Sequence, residues 1–140
     1  MVSGSRANNV AQELASGDYV THLDDDDEYL DDRNEKLLAF AQSNELDLVY
    51  HPFFAEASPG NWGLNDAAVL ECGKVTTSSI FYRRWIKGIR WDVDTHLLGE
   101  PADWNRIRRM IYAGAKYARY PEPLLRHYVE RNQPDTHFVL

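Results

Sequence analysis

Tyr19-Val20-Thr21-His22-Leu23 runs directly into Asp24-Asp25-Asp26-Asp27-Glu28. The first five residues are rich in β-branched and aromatic types, so they predict a buried strand. Five carboxylates then stand where the strand ends and the chain turns. Open α/β sheets bind ligands outside the carboxyl ends of their strands. Like charges this close repel unless they are well solvated or paired. A hard divalent cation with oxygen ligands, shared with substrate phosphates, relieves that crowding. A run of like charges is more often a solvated face. This run, however, is bounded by a strand and by the apolar helix positions Leu37, Leu38 and Ala41. An EF-hand loop counted from Asp24 fails, because Tyr29 falls where the loop needs glycine.

On the N-terminal side, Ala7, Val10, Ala11, Leu14 and Ala15 mark the apolar stripe of a helix, and Gly17 stops it. On the C-terminal side, Asp31 or Asp32 is expected to cap a helix running to about Ser43, with Glu35 at capping-box spacing. Leu46 to His51 predicts a second strand. Ser58 to Gly63 reads as a loop and Ala67 to Cys72 as a short strand. Thr76 to Arg84 is expected to cap and begin a short helix, and Trp85 to Trp91 is ambiguous. Trp104, Ile107, Ile111 and Ala115 predict a helix with Asp103 as its N-cap and Gly114 weakening its last turn. Lys116 to Tyr120 and Leu124 to Val129 predict strands, and the tail from Asn132 is polar until Phe138. Helices and strands in this order predict a layered α/β domain.

A chain of 140 residues is expected to be one domain, 1–140. Its 22 acidic against 15 basic residues give a net charge of −7, which argues against nucleic acid or an anionic membrane as a bulk-charge partner. An anionic substrate therefore needs a local cation. The lone Cys72 allows no internal disulfide and is expected to be a small buried residue. Met1 to Arg6 has no apolar core of a signal peptide, and no run reaches membrane-spanning length. A cytoplasmic location is expected. The histidines 22, 51, 96, 127 and 137 show no ligand spacing.

Several segments together resemble family 2 glycosyltransferases of GT-A fold. Ser5-Arg6-Ala7-Asn8-Asn9 resembles the arginine–asparagine helix, Ala15-Ser16-Gly17-Asp18-Tyr19 the "ASGEY" turn, and the acidic run the DxD motif. Thr77-Ser78-Ser79 with Phe81-Tyr82-Arg83-Arg84 resembles the segment leading to the acceptor side. Arg90-Trp91-Asp92 resembles "GGFDE" without its glycines, Asp103-Trp104 resembles "EDWD", and Pro121 to Leu124 resembles "pEPL". The resemblance runs from about Ser5 to Arg131. Nothing in the sequence corresponds to the family's first strand–helix–strand unit, so the expectation is a partial GT-A fold, a mixed sheet flanked by helices, N-terminally truncated relative to the family. An open strand edge then predicts a homodimer.

The resemblance implies transfer of a sugar from a nucleotide diphosphate to an acceptor hydroxyl, with inversion and a Mn²⁺ or Mg²⁺ cofactor. It implies a nucleotide-sugar donor and a carbohydrate or lipid-linked acceptor. By the motif, Asp24 and Asp26 are the metal pair, Asp26 as direct ligand and Asp24 holding the ribose or a metal-bound water. Asp25 and Arg6 belong to the donor side, Arg6 meeting a phosphate; Asp25 and Asp27 support the ligands or cap a helix. His127 lies near where some GT-A enzymes carry a C-terminal metal ligand. Asp103 takes the place of the base, with Glu100 as its rival. Trp104 is expected to pack in the core. The alternative is a non-catalytic binding or assembly module that keeps the fold.

Overall fold

The computed structural model describes residues 4–129. Two four-stranded mixed sheets are flanked by three α-helices. The first sheet has the order β1-β6-β3-β7, formed by β1 (Tyr19–Thr21), β6 (Ile80–Arg83), β3 (Leu48–Tyr50) and β7 (Tyr117–Arg119). The second has the order β2-β8-β4-β5, formed by β2 (Asp27–Tyr29), β8 (Leu125–His127), β4 (Phe53–Ser58) and β5 (Asn61–Asn65). One parallel pair lies in each sheet, β3 with β7 and β4 with β8; the other pairs are antiparallel.

The first sheet is covered on both faces, and its strands show why. Successive side chains of a strand point to opposite faces. Leu48 and Tyr50 of β3, with Ile80 and Tyr82 of β6, join one core cluster with Ile107 and Met110 of α3 (Ala102–Tyr112). Val49 and Phe81 face the other way and pack with Leu37 and Ala41 of α2 (Arg33–Ser43). Trp104 packs against the first cluster, as expected for a core residue.

α1 (Ser5–Leu14) forms where its periodicity predicts it, but turned over. Its buried residues are Ser5, Asn9 and Gln12, while Val10 is 58% and Leu14 78% exposed. The polar face is buried because it hydrogen-bonds to backbone. The Asn9 amide clasps Trp91 through Nδ2 to O (2.9 Å) and N to Oδ1 (2.7 Å). Gln12 Nε2 donates to the carbonyl of Lys87 at 2.5 Å.

Six further expectations are corrected. Ser58 to Gly63 is not a loop: Pro59 and Gly60, with φ 79° at the glycine, turn β4 into β5, and the position-two proline and position-three glycine suit a type II turn. Ala67 to Cys72 forms no strand, and Cys72 is exposed. Thr76 caps only a single 3₁₀ turn, Thr77–Ser79; the unbroken apolar run Ile80-Phe81-Tyr82 then enters the sheet as β6 and is buried on both faces. Asp32 precedes α2 with left-handed φ 62° and makes no side-chain cap, so the box with Glu35 does not form. Pro101, which lacks the N–H a helix start leaves unpaired, stands before α3, and Asp103 lies inside the first turn. Gly114 follows α3 with φ 92°, the left-handed conformation that ends helices. The tail from Asn132 lies outside the described residues.

Candidate functional site

The acidic run leaves β1 and folds into a turn closed by Asp27 N–H to Asp24 O at 3.1 Å. Asp27 does not cap a helix; it opens β2 and pairs across the second sheet with His127. The run therefore bridges the two sheets. Ser78 Oγ accepts from Asp24 N–H at 2.9 Å, and Asp26 O accepts from Tyr128 N–H at 3.2 Å.

Beneath the turn sits Arg33, 1% exposed, which the sequence reading did not single out. Its guanidinium donates to His51 Nε2 (3.1 Å), Thr21 Oγ1 (3.1 Å) and Ser78 O (2.9 Å). It also stacks on the Tyr29 ring at 3.9 Å, and the Tyr29 hydroxyl donates to the His22 carbonyl. Two strands, a turn and a helix start are thus tied by one cation under the carboxylates. A solitary arginine at a helix start carries no sequence signal of this role.

Above it, Asp26, Asp27 and His127 each offer a ligand atom within 4.8 Å of the others. Burial and the neighbouring Asp27 and Asp26 push the Asp24 carboxyl up to about 6. Burial and Asp27 raise Asp26 as well, while the hydrogen bond to Asp27 raises His127. The second oxygen of Asp27 is buried and has no partner among the described residues. Crowded, partly desolvated carboxylates with an imidazole and an unpartnered oxygen fit a divalent cation. The expected pair was Asp24 and Asp26. The structure gathers Asp26 with Asp27 and His127, and turns half-buried Asp24 toward a neighbouring cavity. Asp25 is exposed at the tip of the turn. Arg6 is exposed on α1 and forms no ion pair with the carboxylates among the described residues.

That cavity, about 440 Å³, is bounded by Asp24, Thr77, Trp91, His96, Glu100 and Asp103. Asp103 and Glu100, far from the acidic run in sequence, therefore share a space with its first residue. Burial raises the Asp103 carboxyl, opposed by its hydrogen bond from Trp104 N–H at 2.7 Å. Glu100 is held at both oxygens by Arg108, at 3.2 and 3.4 Å. Trp91 closes the wall, and its indole N–H has no partner among the described residues.

Solved structures share this arrangement of sheets. The crystal structure of S. aureus TarS 1-349 in complex with UDP-GlcNAc superposes with a TM-score of 0.69 at 16% identity, over 92% of this chain and 40% of that one. The complex of the same protein with UDP gives 0.66 at 14% identity, over 91% and 40%. At such identity the likeness shows the fold, a GT-A-type α/β domain. Sequence goes further. Residues 3–112 match the family described as Glycosyl transferase family 2. An uncharacterized glycosyltransferase of Haemophilus influenzae (strain ATCC 51907 / DSM 11121 / KW20 / Rd) is 33% identical over 115 residues, 81% of this chain and 41% of that protein. The chain belongs to glycosyl transferase family 2. It spans about two fifths of the length of these relatives. No helix among the described residues is long and apolar enough to cross a membrane.

Proposed function

We propose that this chain forms the metal-binding and acceptor-side part of an inverting sugar transferase with a nucleotide-diphosphate donor. The observation that carries the reading is the shared cavity: Asp24 of the acidic turn and Asp103 of α3 line one space. Asp26 and His127, with Asp24 close by, would hold Mn²⁺ or Mg²⁺, whose charge offsets that developing on a diphosphate leaving group. Asp25, at the exposed tip, and Arg6 would face the donor. Asp103 would take the proton of the acceptor hydroxyl, which belongs to a carbohydrate or a lipid-linked sugar. A base works best when its proton affinity is raised towards the working pH, and burial moves Asp103 in that direction. Arg108 occupies both oxygens of Glu100, which favours Asp103 over its rival.

The open edge of β1 and the exposed Val10 and Leu14 support self-association as a homodimer. The single-domain organisation of 1–140 and a cytoplasmic location are part of the same proposal; one free, exposed Cys72 suits a reducing compartment.

Sugar transfer by the protein in its complete form, natural or reconstituted, tests the reading. Asp103→Asn keeps an acceptor oxygen for Trp104 N–H, so folding should hold. Transfer should fall roughly a hundredfold or more, the scale of losing a general base. If transfer survives this change but collapses in Glu100→Gln, Glu100 is the base. If both variants transfer at the parent rate, neither carboxylate is the base.

A further inference from the structure

Asp27 and His127 face each other directly across the antiparallel β2–β8 pair. The two pairs that follow fix the register: Glu28 stands opposite Arg126 and is ion-paired with it at 2.6 Å, and Tyr29 lies opposite the fully buried Leu125. A one-residue slip of β2 would turn Tyr29 away from Arg33, and one of β8 would turn Leu125 out of the core and break its pairing with β4, so the pairing of Asp27 with His127 is locked. His127 Nδ1 stands 2.5 Å from Asp27 Oδ1. The Asp27 side chain is 0% exposed, and its other oxygen has no partner among the described residues. An ionised carboxylate only accepts hydrogen bonds, so the hydrogen between the two lies on Nδ1. The Nε2 lone pair of the neutral ring is then left free.

We infer that Asp27 is a positioning residue for the metal site: it holds His127, which clusters with Asp26, as the Nδ1–H tautomer and leaves Nε2 as the ring's ligand atom. The inference rests on the proposed reading of Asp26 and His127 as metal ligands. It differs from a site in which Asp27 itself takes the cation with Asp26 and the ring serves through Nδ1. A ligating histidine commonly donates its other N–H to a carboxylate, which fixes the ring and raises its basicity. Removing such a carboxylate typically weakens metal binding 10–100-fold. Here the carboxylate comes from the residue next to Asp26, so one turn supplies both the ligand and the group that aims its partner.

The test reads the ring nitrogens of His127 by long-range ¹H–¹⁵N correlation at alkaline pH, first without metal and then during titration with Zn²⁺ as a diamagnetic probe. Nδ1–H in the metal-free protein and a Zn²⁺-induced shift at Nε2 are expected. The Nε2–H tautomer, or Zn²⁺ acting at Nδ1, overturns the inference while leaving a metal at this place. No Zn²⁺ response at His127 overturns the inference together with the metal reading, and in that case the Asp103 assignment still stands on its own transfer assay. Asp27→Ala should release the tautomer and weaken Zn²⁺ binding roughly 10–100-fold. Asp27→Asn keeps an acceptor oxygen and should recover part of the loss; an Asn variant as weak as the Ala variant counts against positioning. Amide exchange checks the fold of each variant, and the tautomer of the parent protein stands whether or not the variants fold.

Discussion

Two helices of almost equal length treat their faces in opposite ways. α2 follows its hydrophobic pattern: Leu37 and Ala41 are fully buried against the first sheet. α1 contradicts its own pattern, burying Ser5, Asn9 and Gln12 and leaving Val10 and Leu14 outside. The difference is in what each helix has to satisfy. α2 covers side chains. α1 covers backbone, because residues 87–91 run past it as a 3₁₀ turn and coil whose carbonyl and N–H groups have no sheet neighbour there. Buried backbone groups need partners. Gln12 supplies them at Lys87 and Asn9 at Trp91, which Asn9 thereby holds in the wall of the cavity.

Both helices also lean on a buried neutral histidine, and acid should break the two together. Tyr82 donates to Gln12 Oε1 at 3.2 Å and accepts from His22 Nε2 at 2.8 Å. Arg33 donates to His51 Nε2, whose Nδ1–H donates to Pro52 O at 2.7 Å. Burial, helped by Arg106, lowers His22 to about 4; burial and Arg33 lower His51 to about 3. The unfolded chain takes up these protons first, near the ordinary histidine value of about 6.5. Stability therefore falls as pH drops below about 6.5, through about 4 and on towards about 3. At about 1.4 kcal/mol per pH unit for each group, the loss should reach several kcal/mol by pH 4. Urea midpoints at neutral and acid pH measure it; a flat profile over this window would contradict the assignment of both rings as neutral.

Leu37→Ala should cost about 2–5 kcal/mol, the range for a fully enclosed leucine. Asn9→Ala removes no apolar area but strands the N–H and C=O of Trp91, and should cost about 2 kcal/mol. A chemical-denaturation series compares the two. If Asn9→Ala is silent, the polar face of α1 is not what holds it. Leu14→Ser should change folding by less than about 0.5 kcal/mol, because the side chain is already in water. It should instead weaken self-association, read by light scattering across a concentration series. A large loss of stability would mean that Leu14 packs within its own subunit.

Much of this was legible in the sequence. β3 is legible as the continuous apolar run inside the expected Leu46 to His51 strand, and the acidic run pointed to the candidate site because a strand precedes it; β6 was expected as a short helix, because the unbroken apolar run Ile80-Phe81-Tyr82 has no period of two to set it apart. The hairpin from Phe53 to Asn65 was hidden because β5 is an exposed edge strand with no buried residue to set a period of two. The face of α1 was misread because the backbone that Asn9 and Gln12 satisfy is far away in sequence, at residues 87–91, and outweighs the helix's own apolar stripe. Arg33 escaped notice, and Asp27 was expected to support the ligands or cap a helix without its partner being named, for a shared reason: their contacts lie about 45 and 100 residues away, at Ser78 and His127, and no local pattern encodes such pairings.

The central claim is that the acidic turn is a metal and donor-phosphate site and not a solvated charged surface. Isothermal titration of the chain with Mn²⁺ in the presence of UDP tests it most directly, comparing Asp26→Asn with Asp31→Asn. Metal binding should be weak without the nucleotide, because one or two carboxylates and the phosphates complete such a site. The account predicts that Asp26→Asn abolishes most of the nucleotide-dependent binding while Asp31→Asn leaves it near the parent value. Equal losses from the two substitutions would contradict it and mark the run as a diffuse acidic surface.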